Sequence, residues 1–262
     1  MKPSLRIAIA LVIATALALG VAAAGYGVVQ ARASGGTPRQ ALAPVATPSP
    51  SNSSVPEPTY ERWTVGKVLA RTTVYKRPDT TAGVTTKLSK TNANGYPTLV
   101  LVDTVRVVDD VTWYRVWLAI RPNGSRGWIR EGTLGFFTTA SKIVIDLSDR
   151  SLAVYRRGQK VKSFPVAVGR PGLETPTGFF FINQKLKPPS SGGAYGVLAM
   201  GISAFQPKLP DWPQGGPVAI HGTNQDELIG QAVSHGCVRM HNKDVLAVSK
   251  LVPAGSPVVI QE

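Results

Sequence analysis

The sequence predicts a mostly β protein in which two folded units follow an apolar N-terminal segment and a linker. Two patterns predict this class: short runs of β-branched and aromatic residues separated by turn residues, and a single clear helical stripe near the C-terminus. With 43% hydrophobic and 17% charged residues, the chain has enough apolar side chains for folded cores, which excludes wholesale disorder. The single Cys excludes an intrachain disulfide.

Residues 1–33 are predicted to export the chain. Lys2 and Arg6 precede 25 uncharged residues, which is long enough for a spanning helix of about 20 residues and exceeds the roughly 7–15 of a cleavable signal. Length therefore favours a membrane anchor, whereas Ala31-Arg32-Ala33 fits a cleavage site, so a cleaved signal and secretion stay open. In both cases the remainder is expected in the cell envelope, outside the cytoplasm. The Cys is not in a lipobox, which excludes a lipoprotein.

Residues 34–59 are predicted to form an extended, disordered linker, because they hold six Pro among Ser, Thr, Gly and Ala. The chain carries a net charge of +14, and +11 remains when residues 1–33 are left out. Such a charge attracts polyanions. For an exported chain the expected polyanion is a cell-wall polymer, and no nucleic-acid partner is predicted.

Residues 60–138 are predicted to form a small β-barrel. Strand-like runs cover Thr98–Val108 and Trp113–Ile120, and Arg121–Gly124 supplies a turn before Gly127–Ile129. The Trp-Tyr-Arg-Val and Gly-Trp-Ile segments within these runs resemble the bacterial SH3-like domains that accompany cell-wall enzymes. The resemblance implies polymer binding or positioning of the next domain, and a structural spacer is the alternative.

Residues 141–262 are predicted to form a second, mostly antiparallel β unit with little helix. Strands are predicted at Lys142–Leu147, Ser151–Tyr155, Val161–Val168, Phe179–Ile182, Pro217–His221 and Pro257–Ile260. A helix is predicted over Lys243–Leu251, with Asn242 as its N-cap, because apolar residues form a stripe along it.

The chemistry is predicted to lie between His221 and His241. This window of 21 residues holds all three His and the only Cys. A lone Cys is either a small buried hydrophobe or a reactive thiol. Because Cys237 is flanked by Gly236 and stands two residues after His235, and because imidazole near a thiol favours the thiolate, the nucleophile is favoured.

A zinc site is the competing interpretation, since three imidazoles and a thiolate could surround a metal ion. One glycine between His235 and Cys237 is tighter than the usual spacing of ligands, and no carboxylate stands close in sequence to support them. The sequence therefore predicts no metal.

Two segments, Ile220–Asn224 and Ile229–Met240, resemble the signature of the L,D-transpeptidase (YkuD-type) catalytic family. Val168–Gly172 and Thr175–Phe179 are similar to the family's approach to its active site, and the similarity covers residues 142–261. The resemblance implies a β-sandwich-like catalytic domain with one or two short helices that remodels peptidoglycan without a cofactor.

The resemblance and the chemistry together imply the catalytic roles. The Cys237 thiolate would attack the bond between the L-centre and D-Ala of a stem tetrapeptide, and an amine of a second stem would resolve the thioester. His221 would be the general base, oriented by a backbone carbonyl. His235 is expected to shape the loop or help bind substrate.

Gly236 is expected to allow a tight turn beside the nucleophile, and the N–H groups of Gly236 and Cys237 are expected to bind the oxyanion. Ser234 is expected to be a turn residue that hydrogen-bonds the loop.

Substrate contacts are expected from Arg239, whose guanidinium could hold a stem carboxylate, with a structural salt bridge as the alternative. Gly222, Thr223 and Tyr195 are further candidates. The segment 187–216, which contains Tyr195 and Trp212, is expected to be one long loop that covers the cleft.

Several alternatives share this pattern. Hydrolysis of the same acyl-enzyme would make the chain an L,D-carboxypeptidase. A sortase also uses Cys, His and Arg, but its Arg lies on a separate strand well after the Cys, whereas Arg239 is two residues from Cys237. A cell-wall Cys peptidase would place Cys before His. A non-catalytic cell-wall-binding protein is disfavoured because every expected catalytic position is filled.

Overall fold

The computed structural model describes residues 61–211 and 216–262, which form two large β-sheets. The predicted export segment 1–33, the predicted linker 34–59 and Trp212 lie outside the described residues. Within the described ranges, the structure contains no helix of the length and apolarity that crossing a membrane requires. The prediction of a mostly β chain is confirmed.

The N-terminal sheet, Trp63–Thr139, has seven strands in the order β3-β2-β6-β5-β4-β1-β7, and every pair in it is antiparallel. Its strands are β1 (Trp63–Val68), β2 (Thr72–Tyr75), β3 (Val84–Leu88), β4 (Leu99–Val108), β5 (Val111–Trp117), β6 (Arg126–Arg130) and β7 (Leu134–Thr139). Alternating aliphatic residues of these strands, among them Val100, Val116 and Ile129, pack into one core. Whether this unit is SH3-like stays a prediction, as do the domain boundaries.

The C-terminal sheet has eight strands in the order β10-β9-β8-β17-β12-β13-β14-β16, and a separate parallel pair is formed by β11 and β15. The strands are β8 (Ser141–Asp146), β9 (Ser151–Arg156), β10 (Gln159–Pro165), β11 (Val168–Gly169), β12 (Gly178–Leu186), β13 (Ala199–Phe205), β14 (Pro217–His221), β15 (Ala232–Ser234), β16 (Val238–Arg239) and β17 (Pro257–Gln261). A short 3₁₀ helix covers Asp226–Leu228, and helix α1 covers Asn242–Leu251.

The core of the C-terminal sheet lies along its central strands. Strands β8 and β17 pair in parallel and are followed by β12, so Ile143, Val258 and Phe180 are almost fully buried in one cluster. Helix α1 turns Val245 and Val248 into the same cluster. Strand β17 reads as a continuous apolar run over Pro257–Ile260, as expected for a strand that is covered on both faces.

The prediction of one long loop over residues 187–216 is wrong, because β13 runs through its middle. Strand β13 is a buried strand in which Gly201 and Ser203 look like loop residues but face crowded positions. A Cβ on Gly201 would lie 2.7 Å from Asn183 Oδ1, and Ser203 Oγ accepts the N–H of Phe181 at 3.1 Å. Small residues are therefore needed there for close packing.

The helix prediction is wrong by one residue at its start. Asn242 is the first residue of α1, and the N-cap position is taken by His241. The Asn242 side chain hydrogen-bonds the backbone of two loops, at Val197 and at Thr223.

The two sheets contact each other through a small apolar cluster. Val65 and Leu101 of the N-terminal sheet pack against Phe181 of β12, and the rings of Trp117 and Phe179 lie 4.9 Å apart. Polar contacts also join the two sheets: Asn92 Nδ2 donates to Gln184 Oε1, and Asn123 Nδ2 donates to the carbonyl of Phe205, both at 2.8 Å.

Candidate active site

His221 is held at the end of β14 by strands on both sides. Its backbone pairs with Ala199 of β13 and, in parallel, with Arg239 of β16. The side chain is 3% exposed, and Nδ1 lies 2.5 Å from the carbonyl oxygen of Gly222. Because a carbonyl can only accept, the neutral ring carries its proton on Nδ1 and leaves Nε2 as the basic nitrogen. The prediction of a backbone carbonyl partner is confirmed.

The surroundings of His221 keep its imidazole neutral at physiological pH. Burial lowers the pKa of His221 to about 4, and the nearby positive charge of Arg239 acts in the same direction. The hydrogen bond to Gly222 opposes both effects but is weaker than the burial. The ring is therefore available to accept a proton.

Cys237 lies in the turn between β15 and β16, and Ser234 organises that turn. Ser234 Oγ donates to the carbonyl of Cys237 at 2.5 Å and accepts the N–H of Gly236 at 3.0 Å. Gly236 has φ +116°, a conformation that favours glycine. The N–H of Gly236 is therefore engaged inside the turn, which corrects its expected role as an oxyanion donor.

Gln206, which directly follows β13, supports the same turn, a role that the sequence does not predict. The residue is 2% exposed, and its Nε2 donates to the carbonyls of Glu174 at 2.9 Å and His235 at 3.4 Å. A Cβ on Gly236 would lie 2.6 Å from this nitrogen, so the glycine also makes room for Gln206. No local pattern could reveal this role, since both acceptors are backbone atoms distant in the chain.

Burial raises the pKa of the Cys237 thiol. A backbone hydrogen bond from Ala219 and the charge of Arg239 both favour the thiolate but do not outweigh the burial. In the free protein the pair therefore rests as a neutral thiol and a neutral imidazole, and deprotonation has to accompany attack.

Arg239 faces the cleft with part of its guanidinium unsatisfied. Its Nη1 donates to Oε1 of Gln225 at 3.2 Å, whereas its Nε is buried without a hydrogen-bond partner. Among residues 61–211 and 216–262, no carboxylate forms an ion pair with Arg239. A buried cationic N–H without an acceptor can bind an anionic ligand oxygen.

Gly222 and Thr223 follow His221 in the chain and link it to neighbouring loops. Thr223 is 1% exposed, and its Oγ1 accepts the N–H of Gln225. Asn242 Nδ2 donates to the Thr223 carbonyl at 2.8 Å, while its Oδ1 accepts the N–H of Val197 at 3.1 Å. A side chain on Gly222 would overlap Asn242 Oδ1. Asn242 therefore joins the Tyr195 loop to the His221 strand, a role the sequence did not reveal.

The ring of Tyr195 packs against the imidazole of His221 at a tilt. The two ring centroids are 4.9 Å apart at an interplanar angle of 57°, and half of the Tyr195 surface is exposed. Burial of its hydroxyl raises the pKa of Tyr195, so the phenol stays protonated at neutral pH.

One cleft of about 200 Å³ brings most of the predicted residues together. It is lined by Ala194, Tyr195, Gln206, Leu209, Gly216, Pro217, Val218, His221, Ser234, His235, Cys237 and Arg239. Gly222, Thr223 and Gly236 do not line it. His241 does not join it and instead lies 3.0 Å from Asp226 Oδ1. Within the described ranges, no three His, Cys, Asp or Glu side chains are grouped so that they could hold a metal ion.

Comparison with known proteins identifies the family to which this domain belongs. The sequence model of the L,D-transpeptidase (YkuD) catalytic domain matches residues 140–260. A Bacillus licheniformis protein assigned the name L,D-transpeptidase YkuD is 38% identical over 123 residues, which are 47% of this chain and 67% of that protein. Its Bacillus subtilis namesake is 35% identical over 124 residues, which are 47% of this chain and 68% of that protein.

These matches identify residues 140–260 as a catalytic domain of the transpeptidase class. The chain belongs to the L,D-transpeptidase family with a YkuD-type catalytic domain, a family of transferases. L,D-transpeptidase 3 from Mycobacterium tuberculosis, a crystal structure, is 16% identical with a TM-score of 0.40, and the match covers 63% of this chain and 92% of that one.

Proposed function

We propose that this chain is a peptidoglycan L,D-transpeptidase that cross-links stem peptides through a thioester on Cys237. One observation carries the proposal: in a domain of this family, Cys237, His221 and Arg239 line the same cleft. The donor is a stem tetrapeptide, and the bond cleaved joins its L-centre to the terminal D-Ala.

The first half-reaction forms the acyl-enzyme. His221 Nε2 accepts the proton of the Cys237 thiol as sulfur attacks the scissile carbonyl, because a neutral thiol is a poor nucleophile. Collapse of the tetrahedral intermediate breaks the bond to D-Ala, and the imidazolium returns the proton to the departing amine. Its pKa of about 4 makes His221 a strong acid once protonated, which suits this second transfer.

The oxyanion of this intermediate needs hydrogen-bond donors near Cys237. Because the Gly236 N–H is bound to Ser234, we assign the backbone N–H of Cys237 as the oxyanion donor. Ser234 and Gly236 then serve the geometry of the turn, and His235 lies at the cleft wall beside them.

Arg239 is proposed to hold a carboxylate of the donor stem through its unsatisfied Nε. The same charge favours the Cys237 thiolate and disfavours the His221 imidazolium. Tyr195 lines the cleft, and its ring restricts access of water to His221. Gly222 and Thr223 do not line the cleft and instead hold the loop that follows His221.

The second half-reaction transfers the acyl group. A neutral amine of a second stem attacks the thioester, His221 accepts its extra proton, and the Cys237 sulfur leaves and takes that proton back. Attack by water in place of the amine would give an L,D-carboxypeptidase. The two outcomes share every residue named above, so only the acceptor distinguishes them.

We further propose that the enzyme works in the cell envelope. Residues 1–33 would anchor it, residues 34–59 would extend it from the membrane, and the remaining charge of +11 would favour contact with anionic wall polymer. The SH3-like unit would position the catalytic domain on its substrate.

The test uses the full-length chain with a disaccharide-tetrapeptide, alone and with a second stem as acceptor, followed by intact-protein mass spectrometry. We expect an acyl adduct that is absent from Cys237→Ala, release of D-Ala, and a cross-linked dimer when acceptor is present. Tripeptide without dimer would replace transpeptidation by carboxypeptidation. Turnover by Cys237→Ala at the wild-type rate would overturn the mechanism.

A further inference from the structure

A loop of the N-terminal sheet reaches the strand end that carries Gln206. This loop connects β5 to β6, and the Asn123 side chain in it makes two hydrogen bonds to one residue of β13. Its Nδ2 donates to the carbonyl of Phe205 at 2.8 Å, and its Oδ1 accepts the N–H of Phe205 at 2.8 Å. One amide side chain thus satisfies both backbone groups of the residue that precedes Gln206.

Arg121 from the same loop adds to this contact. Its Nη2 donates to the carbonyl of Gln206 at 3.0 Å, and its guanidinium lies 5.2 Å from the ring centroid of Phe205. The Gln206 N–H donates to the carbonyl of Gly216, another residue that lines the cleft, at 2.8 Å. Backbone and side chain of Gln206 are therefore both bound.

The side chain of Gln206 extends this support to the nucleophile. Its amide nitrogen spans the carbonyls of Glu174 and His235, and His235 stands two residues before Cys237. A chain of direct contacts thus runs from Asn123 through Phe205 and Gln206 to the turn that carries the thiol.

We infer that Gln206 is a positioning residue for Cys237 and that Asn123 of the N-terminal sheet holds Gln206 in place. The inference rests on the proposed function in taking Cys237 as the nucleophile. It makes the N-terminal sheet part of the support of the catalytic turn. Loss of either contact lets the turn move by a fraction of an ångström, enough to lower the rate of a reaction that depends on alignment.

The test exploits the fact that the chain has a single Cys, so alkylation by iodoacetamide reports on Cys237 alone. The variants are Gln206→Met, which keeps the volume and removes the amide, and Asn123→Ala. The matched control is Asn94→Ala, which also removes a contact between the sheets, from Asn94 Nδ2 to Gln184 Oε1 at 3.2 Å, but lies away from the cleft.

Because burial raises the pKa of the thiol, loosening the turn should expose it and bring its pKa closer to that of a free cysteine. We expect the pH profile of alkylation to shift down by about one unit in both variants, and kcat for transfer to fall about tenfold with KM little changed. Asn94→Ala should match the wild type in all three quantities.

Hydrogen exchange of the amides of residues 235–237 gives a second readout that needs no substrate. Exchange should be about tenfold faster in both variants and unchanged in Asn94→Ala. If Gln206→Met does not fold, Asn123→Ala decides the test. The contact that Asn123 makes is only half-buried, so its loss should leave the protein folded. Wild-type alkylation and exchange in the folded variants would overturn the inference. If alkylation and exchange change in the variants as expected but the wild type transfers no acyl group, only the proposed function is rejected.

Discussion

His221 and Cys237 face the same cleft, yet the molecule holds them in different ways. His221 is the last residue of β14 and is paired through its backbone to strands on both sides. Cys237 stands in a turn whose shape depends on two side chains, Ser234 and Gln206. The base is positioned by the sheet, whereas the nucleophile is positioned by side-chain hydrogen bonds.

This difference predicts which mutations should remove a chemical step and which should displace a catalytic residue. Backbone pairing in a sheet survives most side-chain changes, so substitution of His221 should remove its proton transfer and leave the strand in place. A turn held by side chains moves when one of them is lost, so substitutions around Cys237 should act by displacement.

The largest effect is expected from His221→Gln, which removes the base from an intact strand. General acid–base catalysis contributes about 10² to 10⁴ in rate, so kcat for transfer should fall by that factor. The measurement is steady-state transfer at pH 7, with the thermal midpoint as the control for folding. A fall of less than about threefold would show that proton transfer does not depend on this ring.

His221 should also make the stability of the protein depend on pH. Its pKa is about 4 in the folded chain and near 6.5 when unfolded, so between these values the unfolded state binds the extra proton. Stability is therefore lost as pH falls from about 6.5 to 4, by about 3 kcal/mol in total.

Urea unfolding of the wild type and of His221→Gln at pH 7 and pH 4.5 measures this difference directly. Titration of the other groups is common to both proteins, so the additional loss in the wild type belongs to His221. Equal pH dependence in the two proteins would mean that the imidazole is not held neutral by burial.

Ser234→Ala tests the other half of the comparison, since it removes the hydroxyl that closes the Cys237 turn. The buried N–H of Gly236 would lose its acceptor, at a cost of about 1–3 kcal/mol in the free energy of unfolding. Displacement of the thiol should lower kcat by about 10- to 100-fold. Ser234→Thr keeps the hydroxyl and should recover most of the rate, whereas equal losses in both variants would rule out this hydrogen bond as the cause.

The two ways of holding a residue also explain what the sequence could predict. The sequence predicts strand β14 with its observed bounds, because Val218–Ile220 form a continuous apolar run. The cluster of His and Cys residues predicts where the catalytic residues lie. Ser234 was expected to bind the turn because its partners are two and three residues away. Contacts between residues that are close in the chain can therefore be predicted from the sequence.

Long-range contacts left no such signal. Gln206 and Asn242 bind backbone carbonyls 29 and 19 residues away, and any residue type supplies a carbonyl. The sequence predicts a loop where β13 lies because Gly201 and Ser203 resemble turn residues, although their small size serves close packing. Tertiary contact, rather than local preference, decides these positions.

Asn242→Ala should loosen the opposite wall of the cleft. The substitution removes the bonds to the Val197 N–H and the Thr223 carbonyl, which tie the Tyr195 loop to the His221 strand. Because neither His221 nor Cys237 loses a direct contact, we expect KM for the donor to rise about threefold while kcat changes little. A larger loss in kcat than in KM would show that this loop orders the catalytic groups themselves.

The smallest effect is expected from Tyr195→Phe, which removes the hydroxyl and keeps the ring 4.9 Å from His221. The transfer rate should change less than about twofold, because shielding of the imidazole depends on the ring. Tyr195→Ala removes the shield, and since burial is the main cause of the low pKa of His221, that pKa should rise by about one unit. The acid limb of the pH–rate profile would move upward with it in the Ala variant and stay in place in the Phe variant. An equal shift in both would assign the effect to the phenol group, whose hydroxyl would then contribute to the site together with the base.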